Sequence, residues 1–295
     1  MVIPISAEAL SLLGDTLWSL PIQPARGPAL VAQLSRARDR LAKSPFDANA
    51  SLVVARRTAG LGRLREAVNL YTRAGQLHPT DPRIPRYRGE ILLQLRELEQ
   101  AQRDFQEAAQ RLAGRGQLSE FVEVDGGLLA STLQFNTFYL LGVTYYIKGD
   151  FTRARLALVE ATKTAQTSDD LAASMIWLFF SARRLGAVDE ARALLSLVHD
   201  SVAVSSREPE LELLLAFRDG VSWDSLHLDV HRPFTTEREA LLGYGLGFAL
   251  LHMKRADEAE LMFEQVLTYR DWSSLPVLAA ESELARLKKK LAVSR

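Results

Sequence analysis

The chain has 295 residues, of which 47% are hydrophobic and 24% charged, and this composition indicates a folded protein rather than a disordered one. Its 36 Lys and Arg residues balance its 36 Asp and Glu residues, and zero net charge disfavours a general nucleic-acid-binding protein. The chain has no cysteine, which excludes disulfides, zinc sites with thiolate ligands and cysteine nucleophiles.

The balanced total conceals an uneven distribution of charge along the chain. Residues 1–118 carry 17 Lys or Arg against 11 Asp or Glu, a net charge of +6. Residues 119–295 carry 19 against 25, a net charge of −6. Opposite charges in two parts of a chain can steer two different partners or favour head-to-tail association of identical chains. An ordinary scatter of surface charge explains the numbers equally well, so both interpretations stay open.

Two stretches bear on targeting or membrane insertion. The first eight residues have neither a positive segment nor an unbroken apolar core, so they do not predict a signal peptide. Residues 126–147 contain no charge and are long enough to span a bilayer. Six Ser, Thr, Asn and Gln residues within them oppose insertion. We therefore expect no membrane span, and the lack of cysteine favours the reducing cytoplasm.

The N-terminal segment shows apolar residues at helical spacing. Leucines from Leu10 to Leu20 predict a first helix over Ser6–Leu20, which Ser6 would cap. Proline and glycine residues between 21 and 28 interrupt the pattern, and a second helix is predicted over Ala29–Lys43. We interpret residues 1–46 as an N-terminal helical cap or degenerate hairpin, since terminal units of repeat proteins are atypical.

Two segments between residues 47 and 113 repeat each other at a distance of 34 residues. Each reads as two helices joined by a tight turn, the first helix being predicted over Ala48–Ala59 and the first turn over residues 60–62. On the second helix of each segment, a small, an aromatic and another small residue recur, and this period indicates a helical repeat. The repeated positions are Ala67, Tyr71 and Ala74, then Ala101, Phe105 and Ala108.

The clearest copy of the pattern follows residue 135, at Phe138, Leu141, Gly142, Tyr145, Gly149, Phe151 and Ala154. Through these residues the chain resembles the tetratricopeptide-repeat family. Small residues at Gly142 and Ala154 let two helices approach closely, and Gly149 suits a turn with positive φ. The resemblance implies an all-α fold, an α-α superhelix in the form of a right-handed solenoid of about five helical hairpins with capping helices.

The same pattern divides the rest of the chain into segments. The stretch 114–134 is too long for an ordinary inter-repeat turn, so it is either a flexible excursion or a short packed element over Leu118–Val124. The predicted segments are 1–46 (cap), 47–113 (two repeats), 114–134 (linker or excursion), 135–204 (two repeats), 205–239 (irregular helical insert) and 240–295 (last repeat and C-terminal capping helix).

Motifs for metal, nucleotide or catalytic chemistry are weak. His227 and His231 flank Asp229, but the following Arg-Pro and the lack of a glutamate favour solvated loop histidines over a metal site. Gly243-x-Gly245-x-Gly247 lies in a predicted helix with no strand before it, so Gly247 is better explained as the small residue at a helix crossing. With no nucleophile–base pair visible, we expect no enzymatic activity and no cofactor.

The resemblance also implies which residues face a partner, because the first helix of each hairpin lines the concave surface in this family. Mapping those positions predicts a groove that is basic toward the N-terminus and aromatic toward the middle. We expect it to bind a peptide with an acidic end and apolar anchors. For each aromatic taken singly, the inter-repeat core is the stronger alternative. The candidates are Asn49, Arg56, Arg83, Arg86 and Glu90, then Tyr139, Tyr146, Ile176, Phe180, Arg183, Tyr244 and Phe248.

The leading hypothesis is therefore a scaffold or adaptor that binds a protein or peptide. Arg56 and Glu90 stand where the family's chaperone-tail binders have Asn in their carboxylate clamp, so we do not expect chaperone C-termini as partners. Two alternatives stay open: a homo-oligomeric structural subunit, and a ligand-sensing module that regulates a separate catalytic partner.

Overall fold

The computed structural model describes residues 6–20, 22, 25–124, 127–199, 204, 208–220 and 226–293. Predictions for 1–5, 21, 23–24, 125–126, 200–203, 205–207, 221–225 and 294–295 lie outside the described residues. The chain divides into two compact units after Gly114. The described residues form thirteen helices and two small antiparallel sheets. The finer division into segments remains a prediction.

The first unit (unit 1) is a β-hairpin followed by five helices, with the predicted helices over residues 29–43 and 48–59 confirmed. In order, they are β1 (Ala7–Leu10), β2 (Thr16–Trp18), α1 (Gly27–Lys43), α2 (Ala48–Ala59), α3 (Leu64–Leu77), α4 (Arg83–Gln94) and α5 (Leu98–Leu112).

The 34-residue repeat corresponds to two stacked helical hairpins, α2–α3 and α4–α5. The aromatic of each second helix is buried, Tyr71 to 1% and Phe105 to 0% exposure, between alanines that are equally buried. Gly89 of α4 faces Phe105, and a Cβ added there would lie 3.0 Å from the ring. The small residue therefore permits the close crossing of α4 and α5.

The predicted helix over Ser6–Leu20 is wrong, because this segment forms the β1–β2 hairpin. Gly14 has φ +97°, which a helix does not allow, and the Ser11 hydroxyl accepts the backbone N–H groups of Leu13 and Asp15. A local turn thus interrupts a leucine spacing that otherwise fits a helix.

Within unit 1, Glu8 joins this hairpin to the start of α3. Its carboxylate accepts the backbone N–H of Arg65 (3.2 Å), and its carbonyl accepts Nε–H of the same arginine (2.6 Å). The residue that precedes α3, Arg63, provides no side-chain cap. Glu8 therefore caps α3 from 57 residues away.

The second unit (unit 2) is a β-hairpin followed by eight helices among its described residues. In order, they are β3 (Ser119–Val124), β4 (Gly127–Thr132), α6 (Leu133–Lys148), α7 (Phe151–Thr164), α8 (Ser168–Arg184), α9 (Val188–Ser196), α10 (Glu208–Asp219), α11 (Glu237–His252), α12 (Ala256–Val266) and α13 (Leu275–Val293).

The β3–β4 hairpin decides between the two alternatives for residues 114–134 in favour of a short element. Its strands pair from Ser119 opposite Thr132 to Val124 opposite Gly127. Thr132 then caps α6 by accepting the backbone N–H of Phe135 (3.1 Å). Residues 127–147 of the uncharged stretch thus belong to β4 and α6. No helix within the described part of the chain has the length and apolarity needed to cross a membrane.

Glycines in unit 2 mark the places where elements approach closely. A Cβ on Gly142 would lie 2.5 Å from Leu158 of α7, and one on Gly247 would lie 2.6 Å from Phe263 of α12. Gly149 ends α6 with φ +83°. The predicted roles of these three glycines are confirmed, and Gly243-x-Gly245-x-Gly247 lies inside α11.

The core of unit 2 is an aromatic cluster where α6, α8 and α11 meet. Trp177 lies edge-on to Tyr146 at 5.3 Å between ring centroids, and Phe180 lies 5.4 Å from Tyr244. The hydroxyl groups of Tyr146 and Tyr244 are hydrogen-bonded at 2.7 Å. Burial raises the pKa of both phenols, so they remain protonated near neutral pH.

The last helix, α13, completes this core because it packs against α6 as well as α11 and α12. Glu283 on α13 is 1% exposed and pairs with Arg184 of α8 (2.6 Å) and with Arg286 (2.9 Å). Arg286 also donates to the carbonyl of Ile147 in α6 (3.0 Å). Burial alone would lower the pKa of Arg286, but the adjacent Glu283 raises it, so the ion pair persists.

Candidate partner-binding surface

In unit 1, α2 and α4 present equivalent faces, because residues 34 apart occupy equivalent places in the two hairpins. Asn49 corresponds to Arg83, and Arg83 Nη1 donates to Asn49 Oδ1 across the two helices (2.6 Å). Arg56 of α2 lies over the ring of Tyr87 on α4, with 5.4 Å from its guanidinium carbon to the ring centroid. The two helices therefore form one continuous surface, here called the α2/α4 face.

Arg83 is oriented by Asp81. The arginine Nε lies 3.0 Å from one carboxylate oxygen and Nη2 lies 2.6 Å from the other. Asp81 also accepts the backbone N–H of Arg83 (2.9 Å) at the start of α4. Burial alone would raise the pKa of Asp81, but its bonds with Arg83 outweigh burial and lower it. The charge of Arg83 is thus largely balanced within the chain.

Arg86 does not line the surface as predicted. Its side chain is only 4% exposed, pairs with Glu90, and lies over Tyr87 at 4.9 Å from the ring centroid. A guanidinium buried in this way cannot hold a carboxylate of a partner. The prediction is therefore corrected for Arg86, while Glu90, whose side chain is 35% exposed, stays a prediction.

Arg56 is the exposed cation of the α2/α4 face. Within the described part of the chain it forms no ion pair, and its guanidinium contacts the Tyr87 ring. Val53, one helical turn before it, is 38% exposed. The α2/α4 face therefore combines a guanidinium held over an aromatic ring with an adjacent apolar side chain.

The predicted aromatic end of the groove is core instead. The six apolar candidates of unit 2 are between 0% and 4% exposed, and Phe180 lies 4.5 Å from the ring centroid of Phe248. Tyr244 lies 3.5 Å from Glu283 of α13, whereas Phe180 and Phe248 pack against Phe217 of α10, so these side chains are covered from two sides. The corrected residues are Tyr139, Tyr146, Ile176, Phe180, Tyr244 and Phe248.

Arg183, the remaining candidate, is partly exposed and lines a cavity in unit 2 that the sequence did not predict. The cavity depends on α10, which packs against α8, α9 and α11. Helix α10 lies within the predicted irregular helical insert 205–239, but the spacing of its apolar residues does not reveal which helices it packs against. The cavity could not have been found from the repeat pattern, since α10 is not part of that pattern.

Comparisons with known proteins concern the fold. No protein-family model matches the sequence, and no curated protein matches it. The chain is similar to a solved tetratricopeptide repeat protein from Parabacteroides merdae, with 16% identity over 89% of this chain and 94% of that one, and a TM-score of 0.51.

Two further solved structures are similar at lower scores. YrrB, described as a TPR protein with an unusual peptide-binding site, is 14% identical over 86% of this chain and 97% of that one, with a TM-score of 0.47. Cut9, from the complex of Cut9 with Hcn1, is 17% identical over 81% of this chain and 37% of that one, with a TM-score of 0.48. The similarity to the Parabacteroides merdae protein agrees with the helical hairpins described above. This chain is an all-α protein with the tetratricopeptide-repeat fold.

Proposed function

We propose that this chain is a protein-interaction scaffold that binds a peptide segment of its partner on the α2/α4 face. One observation supports it above all. Arg56 is exposed, has no acidic partner in the described part of the chain, and is held over Tyr87. A cation that stays unpaired beside exposed apolar surface suits a ligand that supplies a carboxylate and an apolar group.

The chemistry of the surface defines the class of peptide. The planar guanidinium of Arg56 can receive an Asp, Glu or terminal carboxylate with two parallel hydrogen bonds. Val53 and the Tyr87 ring can cover an adjacent apolar side chain, while Asn49 is exposed and can bond the peptide backbone. The partner segment is therefore acidic and apolar in neighbouring positions.

We propose no catalytic role for the chain. Its described residues contain no group of three or more His, Asp or Glu that could hold a metal ion. The proposed scaffold acts in the cytoplasm, in keeping with a chain that lacks cysteine.

The test is selection of displayed random peptides on the full chain, followed by titration of the enriched peptides. Arg56→Glu is expected to weaken binding by about tenfold or more, because it replaces an attraction to a carboxylate by repulsion. Arg73→Glu is the matched control, since Arg73 is exposed on α3 and carries the same charge. Reversal of Arg86 would be less informative, because this residue is buried.

The proposal predicts that enriched peptides share an acidic residue next to an apolar one. It is refuted if no peptide is enriched, or if Arg56→Glu binds the enriched peptides as tightly as Arg73→Glu does. Circular dichroism of both variants checks that the helices are retained.

A further inference from the structure

Unit 2 contains a cavity of about 530 Å³ among α8, α9, α10 and α11. Pockets that bind small molecules typically measure about 300–1,000 Å³. Three phenylalanines form its apolar wall: Phe179 lies 4.7 Å from Phe217, and Phe217 lies 6.3 Å from Phe248, between ring centroids. The cavity therefore offers a preformed apolar space of ligand size.

The rim of the cavity is cationic. Arg183, Arg192 and Arg218 line it, and none of the described residues that line it is Asp or Glu. Arg218 already has partners, because it forms a bidentate ion pair with Asp219 and donates to the carbonyl of Val198. Arg192 is largely exposed and reaches Asp189 only at 3.4 Å.

Arg183 differs from the other two arginines. It forms no ion pair within the described part of the chain, and it is only partly exposed at the edge of the apolar wall. A partly desolvated guanidinium attracts an anion more strongly than one in bulk water does. Arg183 is therefore the group at which an anionic ligand would be held.

His252 shapes the same wall without adding charge. Its ring lies 4.2 Å from that of Phe248, and its nitrogens lie 2.9 Å from the carbonyl of Phe248 and 3.4 Å from that of Arg183. Burial lowers its pKa, and the nearby charges of Arg183 and Arg184 lower it further, against the raising effect of the two carbonyls. The positive charge of the rim at neutral pH thus comes from arginine alone.

We propose that this cavity binds an apolar group that ends in a carboxylate, with the carboxylate on Arg183 and the apolar part against Phe179, Phe217 and Phe248. A single unpaired guanidinium matches the single charge of a carboxylate better than the double charge of a phosphate. Such a group occurs in fatty acids and in polypeptide C-termini with a large apolar last residue. The proposal concerns unit 2 and does not depend on the α2/α4 face.

The experiment is isothermal titration of the full chain with four probes. Decanoate is compared with decanol, and an acetylated tripeptide ending in phenylalanine is compared as free acid and as amide. Saturable binding of at least one acid is expected, with its uncharged counterpart about tenfold weaker or undetectable. Preference for decanoate would identify a fatty-acid site, and preference for the tripeptide acid a C-terminus site.

Variants then test the residue assigned to the carboxylate. Arg183→Gln is expected to weaken binding of the acid about tenfold, while Arg183→Lys retains part of it because the charge remains. Arg255→Gln, which removes an exposed charge from outside the cavity, should have no effect. The proposal is overturned if neither acid binds saturably, if acid and uncharged probe bind equally, or if Arg183→Gln binds as well as Arg255→Gln does.

Discussion

Replacing Glu283 by Gln tests whether the buried ion pairs hold α13 in place. Glu283 is 1% exposed and accepts hydrogen bonds from Arg184 and Arg286, which are 17% and 24% exposed. Gln preserves the size of the side chain but removes its charge, and its amide group can turn N–H donors toward two guanidinium groups. The change therefore leaves two partly buried cations without their carboxylate.

The expected loss of stability follows from the burial of Glu283, Arg184 and Arg286. Removing one partner of a buried ion pair costs about 3–5 kcal/mol of stability, because the remaining charge stays desolvated. Both arginines retain some contact with water, which offsets part of this cost. We therefore expect Glu283→Gln to lower the free energy of unfolding of unit 2 by about 3 kcal/mol.

The assay is urea unfolding followed by far-UV circular dichroism, with limited proteolysis to detect release of α13. The matched control is Glu258→Gln, which removes a carboxylate from an ion pair with Arg255 in which both side chains are 52% exposed. Exposed pairs add little stability, so the control should leave the unfolding midpoint unchanged. An equal midpoint for Glu283→Gln and the control would refute the structural role assigned to these ion pairs.

Three further predictions concern packing, capping and pH. Gly142→Ala should lower stability by about 1–3 kcal/mol in urea unfolding, because its Cβ would lie 2.5 Å from Leu158. Glu8→Ala should lower the stability of unit 1 by about 1 kcal/mol and accelerate hydrogen exchange at the Arg65 amide, since α3 loses its cap. Glu239 has its pKa lowered from 4.5 to about 2, since backbone N–H groups and Arg232 outweigh burial. Because the folded-state pKa is the lower one, its stabilisation is present above pH 4.5 and is lost as the pH falls toward 2. In Glu239→Gln, about 1–2 kcal/mol of stability after solvent screening should be missing at pH 7, and the difference from the unmodified chain should vanish in acid.

Each of these three predictions has a contradicting outcome. In an uncrowded helix, Ala in place of Gly142 would stabilise by about 1 kcal/mol, so a gain would refute close packing there. Unchanged exchange at Arg65 would show that Glu8 does not cap α3. A stability difference for Glu239→Gln that stays constant with pH would show that its ionisation is not linked to folding.

The repeat pattern predicted α2 to α5 well because their determinants are local. A buried Tyr71 between alanines recurs as Phe105 34 residues later, and both report the same packing of neighbouring helices. The prediction of a helix over Ser6–Leu20 was wrong because a contact with a distant residue helps to fix the structure of this segment. Glu8 bonds to Arg65, and leucine spacing carries no information about such a contact.

The candidate surface shows the same limit. Arg56, which the repeat pattern places on a first helix, is exposed there, and its contact Tyr87 lies on the equivalent helix of the next repeat. Its role in binding stays a prediction. Tyr146 and Tyr244 were predicted to face a groove, but they are covered together with Glu283 of α13. Apolar residues at helical spacing mark one face of a helix, but the spacing does not show whether that face is buried in the core or exposed to a partner. What covers a face is decided by chain segments far away in sequence.

The attachment of α13 also has a consequence for how the chain folds during synthesis. Arg286 bonds to Ile147 over a separation of 139 residues, whereas Glu8 reaches Arg65 over 57. Contacts between distant residues slow folding, because a long loop must close before they form. Unit 1 can therefore reach its native contacts on the ribosome while unit 2 still lacks its last helix. Until residue 286 emerges, Tyr244 lacks its contact with Glu283 of α13, and we expect the incomplete unit 2 to be most prone to aggregation at this stage.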